Sequence, residues 1–343
     1  MRRTLPPCPA PAAVAGRRAA LGWLAALPAL ARAGDGGRVW RVGPGEALTR
    51  IADALRQAGD GDTIAVLPGV YRGDVAVIHQ RRLRIVGLGR GDARPRLLAD
   101  GQHAEGKAIW VLRDGALQVE HLVFEGCRVP SGNGAGIRFE RGRLQLRGCS
   151  FRDQQMGLLT GNDPAAELDI ADCDFADAPD NPASLPHLLY VGRIGRLRLQ
   201  GSRFRNGRVG HLLKCRAAVA EIEGNRFDDG RDGRASYEID LPNGGLATVR
   251  GNTLVQSPLT ENPVMLSYGA EGAPWPHSRL LVEDNRFVNR RGGEGNVFVR
   301  AWAERLPPGA EVLSRHNAYL GAGALELGPA GRSEDDRRGP ASD

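Results

Sequence analysis

LRLQGSRF (197–204) is followed closely by AEIEGNRF (220–227), and the same phrase recurs through most of the chain. It appears as LQVEHLVF (117–124), LQLRGCSF (144–151), LDIADCDF (168–175), ATVRGNTL (247–254), LLVEDNRF (280–287) and VLSRHNAY (312–319). Each copy alternates apolar and polar residues, as a strand with one buried face does. The closing residues Phe124, Phe151, Phe175, Phe204, Phe227, Leu254, Phe287 and Tyr319 are 23 to 33 residues apart. Two places before them stand Leu122, Cys149, Cys173, Ser202, Asn225, Asn252, Asn285 and Asn317. An asparagine repeated at one bend of a stacked coil can hydrogen-bond its counterparts above and below. Repeats of this length and variability mean a solenoid. The expected fold is all-β: a right-handed parallel β-helix over residues 40–322, of roughly ten coils.

The flanks read differently. EALTRIADALRQA (46–58) places Leu48, Ile51, Ala52 and Leu55 at helical spacing, which predicts a short N-terminal capping helix over the apolar end of the first coil. GDGDTIAVLPGVYRGD (59–74) follows as turn, strand and turn. The tail 323–343, rich in Gly, Pro, Asp and Arg, is expected to be disordered.

Lys and Arg number 46 against 40 Asp and Glu, a formal charge of +6. A modestly basic protein favours anionic partners. With no basic block and no basic–aromatic run, nucleic acid is not expected as a partner. Arg2, Arg3, Arg17 and Arg18 precede the apolar run AALGWLAALPAL, and Ala31-Arg32-Ala33 forms a small-residue cleavage site. That predicts an export signal peptide at 1–33 and a periplasmic or secreted mature protein. The apolar run is short for a bilayer, so no transmembrane segment is expected in the mature protein, which is read as a monomer. Cys8 leaves with the leader. Cys149 and Cys173 share one position on successive coils, which allows either a disulfide or stacked free thiols.

A second strand ladder lies upstream of each closing residue: GIRFE (136–140), GLLTG (157–161), HLLYV (187–191), HLLKC (211–215), YEIDL (237–241), VMLSY (264–268) and VFVR (297–300). With Ile239 and Leu241 set inward, one outward column reads Arg138, Thr160, Tyr190, Lys214, Asp240, Ser267, Arg300. The neighbouring outward column reads Leu158, Leu188, Leu212, Glu238, Met265, Phe298. Lys214 is the sharpest clue, because only Lys107 and Lys214 are lysines among the 46 basic residues. Lysine can act as a base where arginine cannot.

Glu238 and Asp240, two apart on one strand, would place two carboxylates on one face. With Asn243 they could ligate Ca²⁺, act as an acid/base pair for an inverting glycosidase, or form a plain ion pair with Lys214. No metal is required by any spacing of Cys and His. His187 and His211 fall inward or at the strand edge by parity, as hydrogen-bonded core residues or as catalytic ones, and Tyr268 falls inward. In the loop GAEGAPWPHS (269–278), Trp275 either stacks on a sugar or packs on the coil below, and Glu271 is a further acidic candidate.

GDGDTIAVLPGVYRG (59–73) resembles the opening strand of the pectin-lyase-like β-helix superfamily, most closely its alginate and dermatan lyases. HLLKCRAAVAEIEGNRF (211–227) resembles their segment in which a lysine precedes the next coil's Asn-x-Phe. The resemblance implies that Lys214 is the Brønsted base that takes the C5 proton of a uronate. The arginine those lyases carry one coil later is replaced here by SYEIDLPNGG (236–245). The expected activity is β-elimination on an acidic, uronate-containing polysaccharide. Arg216, Arg300 or a Ca²⁺ ion would neutralise the carboxylate, Lys214 would abstract, and Tyr190 would donate to the leaving oxygen. Two alternatives stand beside it: a hydrolase or epimerase on the same face, and a non-catalytic β-helix that binds glycan or protein.

Overall fold

A computed structural model describes residues 37–180 and 185–341. The leader expected at 1–33, with Cys8, lies outside them. The described strands form three all-parallel sheets of twelve, eleven and ten strands. One coil shows how the chain winds. Ala116–Glu120 lies in the twelve-stranded sheet, Val123–Glu125 in the eleven-stranded and Ala135–Phe139 in the ten-stranded, and Arg143–Arg147 returns to the first. Crossovers between parallel strands are right-handed, and the fold is the parallel β-helix that the repeat predicts.

The repeated phrase spans two of these sheets, with a bend between them. The residue just before each ladder position is left-handed: φ is 57° at Gly201, 64° at Gly224, 63° at Gly251 and 56° at both Asp284 and His316. Only Gly, or a short polar residue, takes that conformation cheaply. The bend then points the next side chain inward. Asn252 Oδ1 accepts from the backbone N–H of Asn225 at 2.8 Å and from its Nδ2 at 3.0 Å. Asn285 serves Asn252 in the same way at 2.9 and 3.0 Å, and Asn317 serves Asn285 at 2.9 Å twice. The ladder extends backwards through Ser202, whose N–H donates to Asn225 Oδ1 at 2.9 Å. Beside it the rings of Phe124, Phe151, Phe175, Phe204 and Phe227 stack with centroids 4.6 to 5.1 Å apart. Cys127, Cys149, Cys173 and Cys215 are buried free thiols.

The capping helix is shorter than its apolar spacing suggests, running only from Ile51 to Gln57. Its start is fixed from outside the segment. Asp74 accepts from the N–H groups of Ile51 at 2.6 Å and Ala52 at 3.0 Å, which satisfies two of the donors that a helix start leaves open.

The tail is corrected outright. Ala324–Glu326, Arg332–Glu334 and Arg337–Gly339 add strands to the ten-, twelve- and eleven-stranded sheets. Asp336 takes the ladder place after Asn317, accepting from its N–H at 2.8 Å and its Nδ2 at 3.0 Å. Arg338 pairs with Tyr319 in register, and its guanidinium lies 5.9 Å from that ring. A terminal coil has water on its outer side, so it keeps the backbone ladder and drops the apolar pattern. That is why composition read it as disordered.

Candidate active site

Register along the ten-stranded sheet gives the outward column Arg138, Leu159, Tyr190, Lys214, Asp240, Ser267, Arg300. Leu159 replaces the expected Thr160. In GLLTG two adjacent leucines carry no signal for which one faces the core, so the register slips by one. The other members stand where expected.

The neighbouring column does not. Leu158, Leu188, Leu212, Met265 and Phe298 all belong to the core, and the Phe298 ring lies 5.0 Å from that of Tyr319. Glu238 falls among them, one place before Ile239, and is 0% exposed. Alternation breaks at the start of these strands, where Leu212 and Leu213 are both core residues. Parity counted backwards from Ile239 therefore assigns Glu238 to the wrong side. Among the described residues neither of its carboxylate oxygens has a hydrogen-bond partner. Burial, with a smaller push from Asp229, raises its pKa well above the ordinary carboxylate value. Glu238 thus cannot pair with Asp240 as acid and base on one accessible face.

The same break turns the histidines outward. His211 Nε2 lies 3.5 Å from Asp240 Oδ2, and its ring is 4.6 Å from that of His187, which in turn meets Tyr190 at 5.3 Å. The His187 Nδ1 accepts from the backbone N–H of His211 at 2.8 Å. Burial, then the charges of Lys214 and Arg216, brings His187 down to about 3. Burial, then His187, takes His211 well below its ordinary value. Both rings are neutral at neutral pH. Tyr268 faces inward as expected, its hydroxyl donating to Gly245 O at 2.6 Å.

Lys214 faces outward within reach of Asp240, its Nζ 3.5 Å from Oδ2. It is only 9% exposed, however, because the 269–278 loop folds over it. Glu271 on that loop bridges two cations, with Oε1 2.5 Å from Lys214 Nζ and Oε2 2.5 Å from Arg216 Nη2. Burial opposes its ionisation, but the hydrogen bonds from Lys214 and Arg216 prevail and hold its pKa below the ordinary range. The guanidinium of Arg216 donates further to Asn243 Oδ1 at 2.7 Å and to the Tyr190 hydroxyl at 3.1 Å. Asp240 is pushed up to about 6, chiefly by burial and also by Glu271, against the pull of Lys214.

The loop is pinned by its own contacts. Trp275 Nε1 donates to Arg216 O at 3.0 Å, and Asn243 Nδ2 donates to Gly272 O at 2.7 Å. Arg193 donates to Ala273 O at 2.9 Å and lies 4.3 Å from the Trp275 ring centroid. Trp275 therefore packs on the coil below. Arg193 had no signal in the sequence, since its partners lie about eighty residues away.

Arg300 stands apart, two coils beyond Asp240 and held by Glu326, with Nη2 to Oε1 at 2.8 Å. The oxygen set proposed for Ca²⁺ does not assemble, because Glu238 is in the core and Asn243 Oδ1 is taken by Arg216. Among the described residues no group of three or more His, Cys, Asp or Glu converges as a metal site. Open grooves lie elsewhere. One of about 490 Å³ runs over the twelve-stranded sheet past Gln145, Arg147 and Arg198, and one of about 800 Å³ lies beside Arg50, Tyr71 and Asp74.

No family model and no curated protein matches this chain. Among solved structures it is similar to ORF18 of Geobacillus virus E2, with a TM-score of 0.51 and 13% identity over 82% of this chain. It spans about half (53%) of that viral protein. It is also similar to PfbA, a surface adhesin of Streptococcus pneumoniae (TM-score 0.49, 11% identity, 84% of both chains). A third likeness is to the A-module of the mannuronan C-5 epimerase AlgE6 of Azotobacter vinelandii (TM-score 0.42, 12% identity, 85% of this chain and 94% of that one). Identities this low mark a shared fold alone, the parallel β-helix that the three sheets already show. Among the described residues no helix is long and apolar enough to cross a membrane.

Proposed function

We propose that this is an exported β-helix protein that acts on an acidic, uronate-containing polysaccharide by β-elimination. The observation that carries the reading is the Glu271 carboxylate held between Lys214 and Arg216 at 2.5 Å from each. A pair of cations that already grips one carboxylate has the chemistry to grip that of a uronate. Arg216 would neutralise that carboxylate and acidify the adjacent C5–H. The Lys214 amine, once its ammonium has given a proton to solvent, would take the C5 proton, the electron pair would form the C4=C5 double bond, and the C4–O bond would break. The Tyr190 hydroxyl, 3.1 Å from Arg216 Nε, would protonate the leaving oxygen. An epimerase would share the abstraction step. Hydrolysis by Glu238 and Asp240 loses its support with Glu238 in the core. The leader at 1–33 supports export to the periplasm or beyond.

Incubation of the purified protein with a panel of acidic glycans tests this, read by the ultraviolet absorbance of unsaturated products and by reducing ends. Elimination gives both signals. Lys214→Arg keeps the charge but cannot yield its proton, so turnover should fall by about 10²–10⁴-fold while glycan binding survives. Full activity in that variant sinks the base assignment. Binding with neither signal in the wild type supports a non-catalytic glycan-binding protein instead.

A further inference from the structure

Glu271 differs from the rest of its cluster in one respect: among the described residues its carboxylate makes no hydrogen bond or ion pair besides those with Lys214 and Arg216. Arg216 keeps its Asn243 and Tyr190 bonds without it, and Lys214 keeps Asp240. The loop keeps its bonds from Glu271 N–H to Pro242 O at 3.0 Å, Asn243 Nδ2 to Gly272 O, Arg193 to Ala273 O and Trp275 to Arg216 O. The Glu271 side chain is also the solvent-exposed member, at 43%, against 11% for Lys214, 17% for Arg216 and 3% for Asp240. A rotation of one side chain, with no movement of the loop backbone, would therefore vacate the space between the two cations.

We propose that Glu271 is an exchangeable internal occupant of a carboxylate seat formed by Lys214 and Arg216, displaced by the monoanionic carboxylate of a uronate ligand. The inference rests on the polysaccharide reading above but does not need catalysis. Charge balance fixes the ligand class. Lys214 and Arg216 carry two positive charges, and Asp240 and Glu271 two negative ones at neutral pH. Swinging Glu271 out leaves one positive charge uncompensated, which matches a single carboxylate rather than a dianion. Because Glu271 is tethered to the seat, it competes at a high effective concentration and raises the ligand concentration needed for occupancy.

The two lysines make the test clean, since ¹³Cε-lysine labelling yields one side-chain signal for Lys107 and one for Lys214. Lys107 is paired with Glu140 at 2.8 Å on an earlier coil and serves as the internal control. Methyl glucuronide would be titrated into the full-length wild type and into Glu271→Gln. The Lys214 signal should titrate at about tenfold lower concentration in Glu271→Gln, with Lys107 unmoved, the gain expected when an intramolecular competitor is removed. Equal midpoints, a weaker midpoint in Glu271→Gln, or no response of Lys214 in either protein overturns the proposal. Elimination on polymer is assayed separately. If Lys214 responds as expected while no glycan is cleaved, the lyase reading fails and the seat stands; if polymer is cleaved with equal midpoints, the reverse holds.

Discussion

The ladder bend and the outward face of the ten-stranded sheet both gather polar side chains, but they satisfy them in opposite ways. At the bend each group bonds to its own equivalent one coil on: Asn225 to Asn252, Asn252 to Asn285, Asn285 to Asn317. On the sheet face each group bonds to a different residue type, often from a loop more than fifty residues away, as Lys214 does with Glu271. The first arrangement is periodic, buried and structural. The second is not repeated from coil to coil and draws on unlike groups. Periodicity in a solenoid therefore marks what holds the coils together, and departure from it marks where a ligand can act.

Asn252→Ala should show the largest structural effect. It leaves the Asn225 N–H without its acceptor, takes one of the two acceptors of Asn225 Nδ2, which keeps Leu199 O at 2.9 Å, and removes the bond from Asn252 Nδ2 to Ile222 O. At about 1–3 kcal/mol for each buried group left unpaired, a loss of about 3 kcal/mol or more is expected in denaturant unfolding. A loss under about 1 kcal/mol would mean that the ladder is only a by-product of coiling.

Asp240 sharpens the comparison through pH. Its folded pKa of about 6 lies above the ordinary 3.8, so between those values the folded chain holds a proton that the unfolded chain has released. Stability from this group is full below about pH 4 and declines as pH rises through 6. Asp240→Asn should flatten that decline by about 3 kcal/mol at most, seen in chemical denaturation from pH 4 to 7. Retention of the full slope would assign it elsewhere, Asp229 being the next group to examine, since burial also lifts it to about 6.

Glu238 is a polar group that belongs to neither arrangement. Replaced by Met, like its column neighbour Met265, it should stabilise the fold by about 1–3 kcal/mol through loss of an unpaired buried carboxyl. Its folded pKa is raised, so its cost grows as pH climbs above the ordinary 4.5, and the gain should be larger at pH 8 than at pH 5. A destabilised Glu238→Met would reveal a partner for that carboxyl.

The smallest effect is expected from Trp275→Phe, which keeps the packing but loses the indole bond to Arg216 O. About 1 kcal/mol is at stake, and hydrogen exchange confined to 269–278 is the suitable measure. Acceleration across the neighbouring coils instead would make the loop part of the core.

The sequence by itself determined the solenoid, the ladder of Asn225, Asn252, Asn285 and Asn317, and the outward place of Tyr190, Lys214, Asp240 and Arg300. Each of these is a repeated local pattern, and stacking copies it from coil to coil. Three things escaped it. Glu238 lies inward because alternation breaks where the strand begins, a backbone irregularity that side-chain periodicity does not encode. The last coil was invisible because its order comes from backbone hydrogen bonds and Asp336, while its side chains are polar. The junction of Arg193, Trp275, Glu271 and Arg216 formed only when the loop folded over the sheet. Only the tertiary structure decided it, because contacts between distant segments of unlike type leave no period in the chain to read.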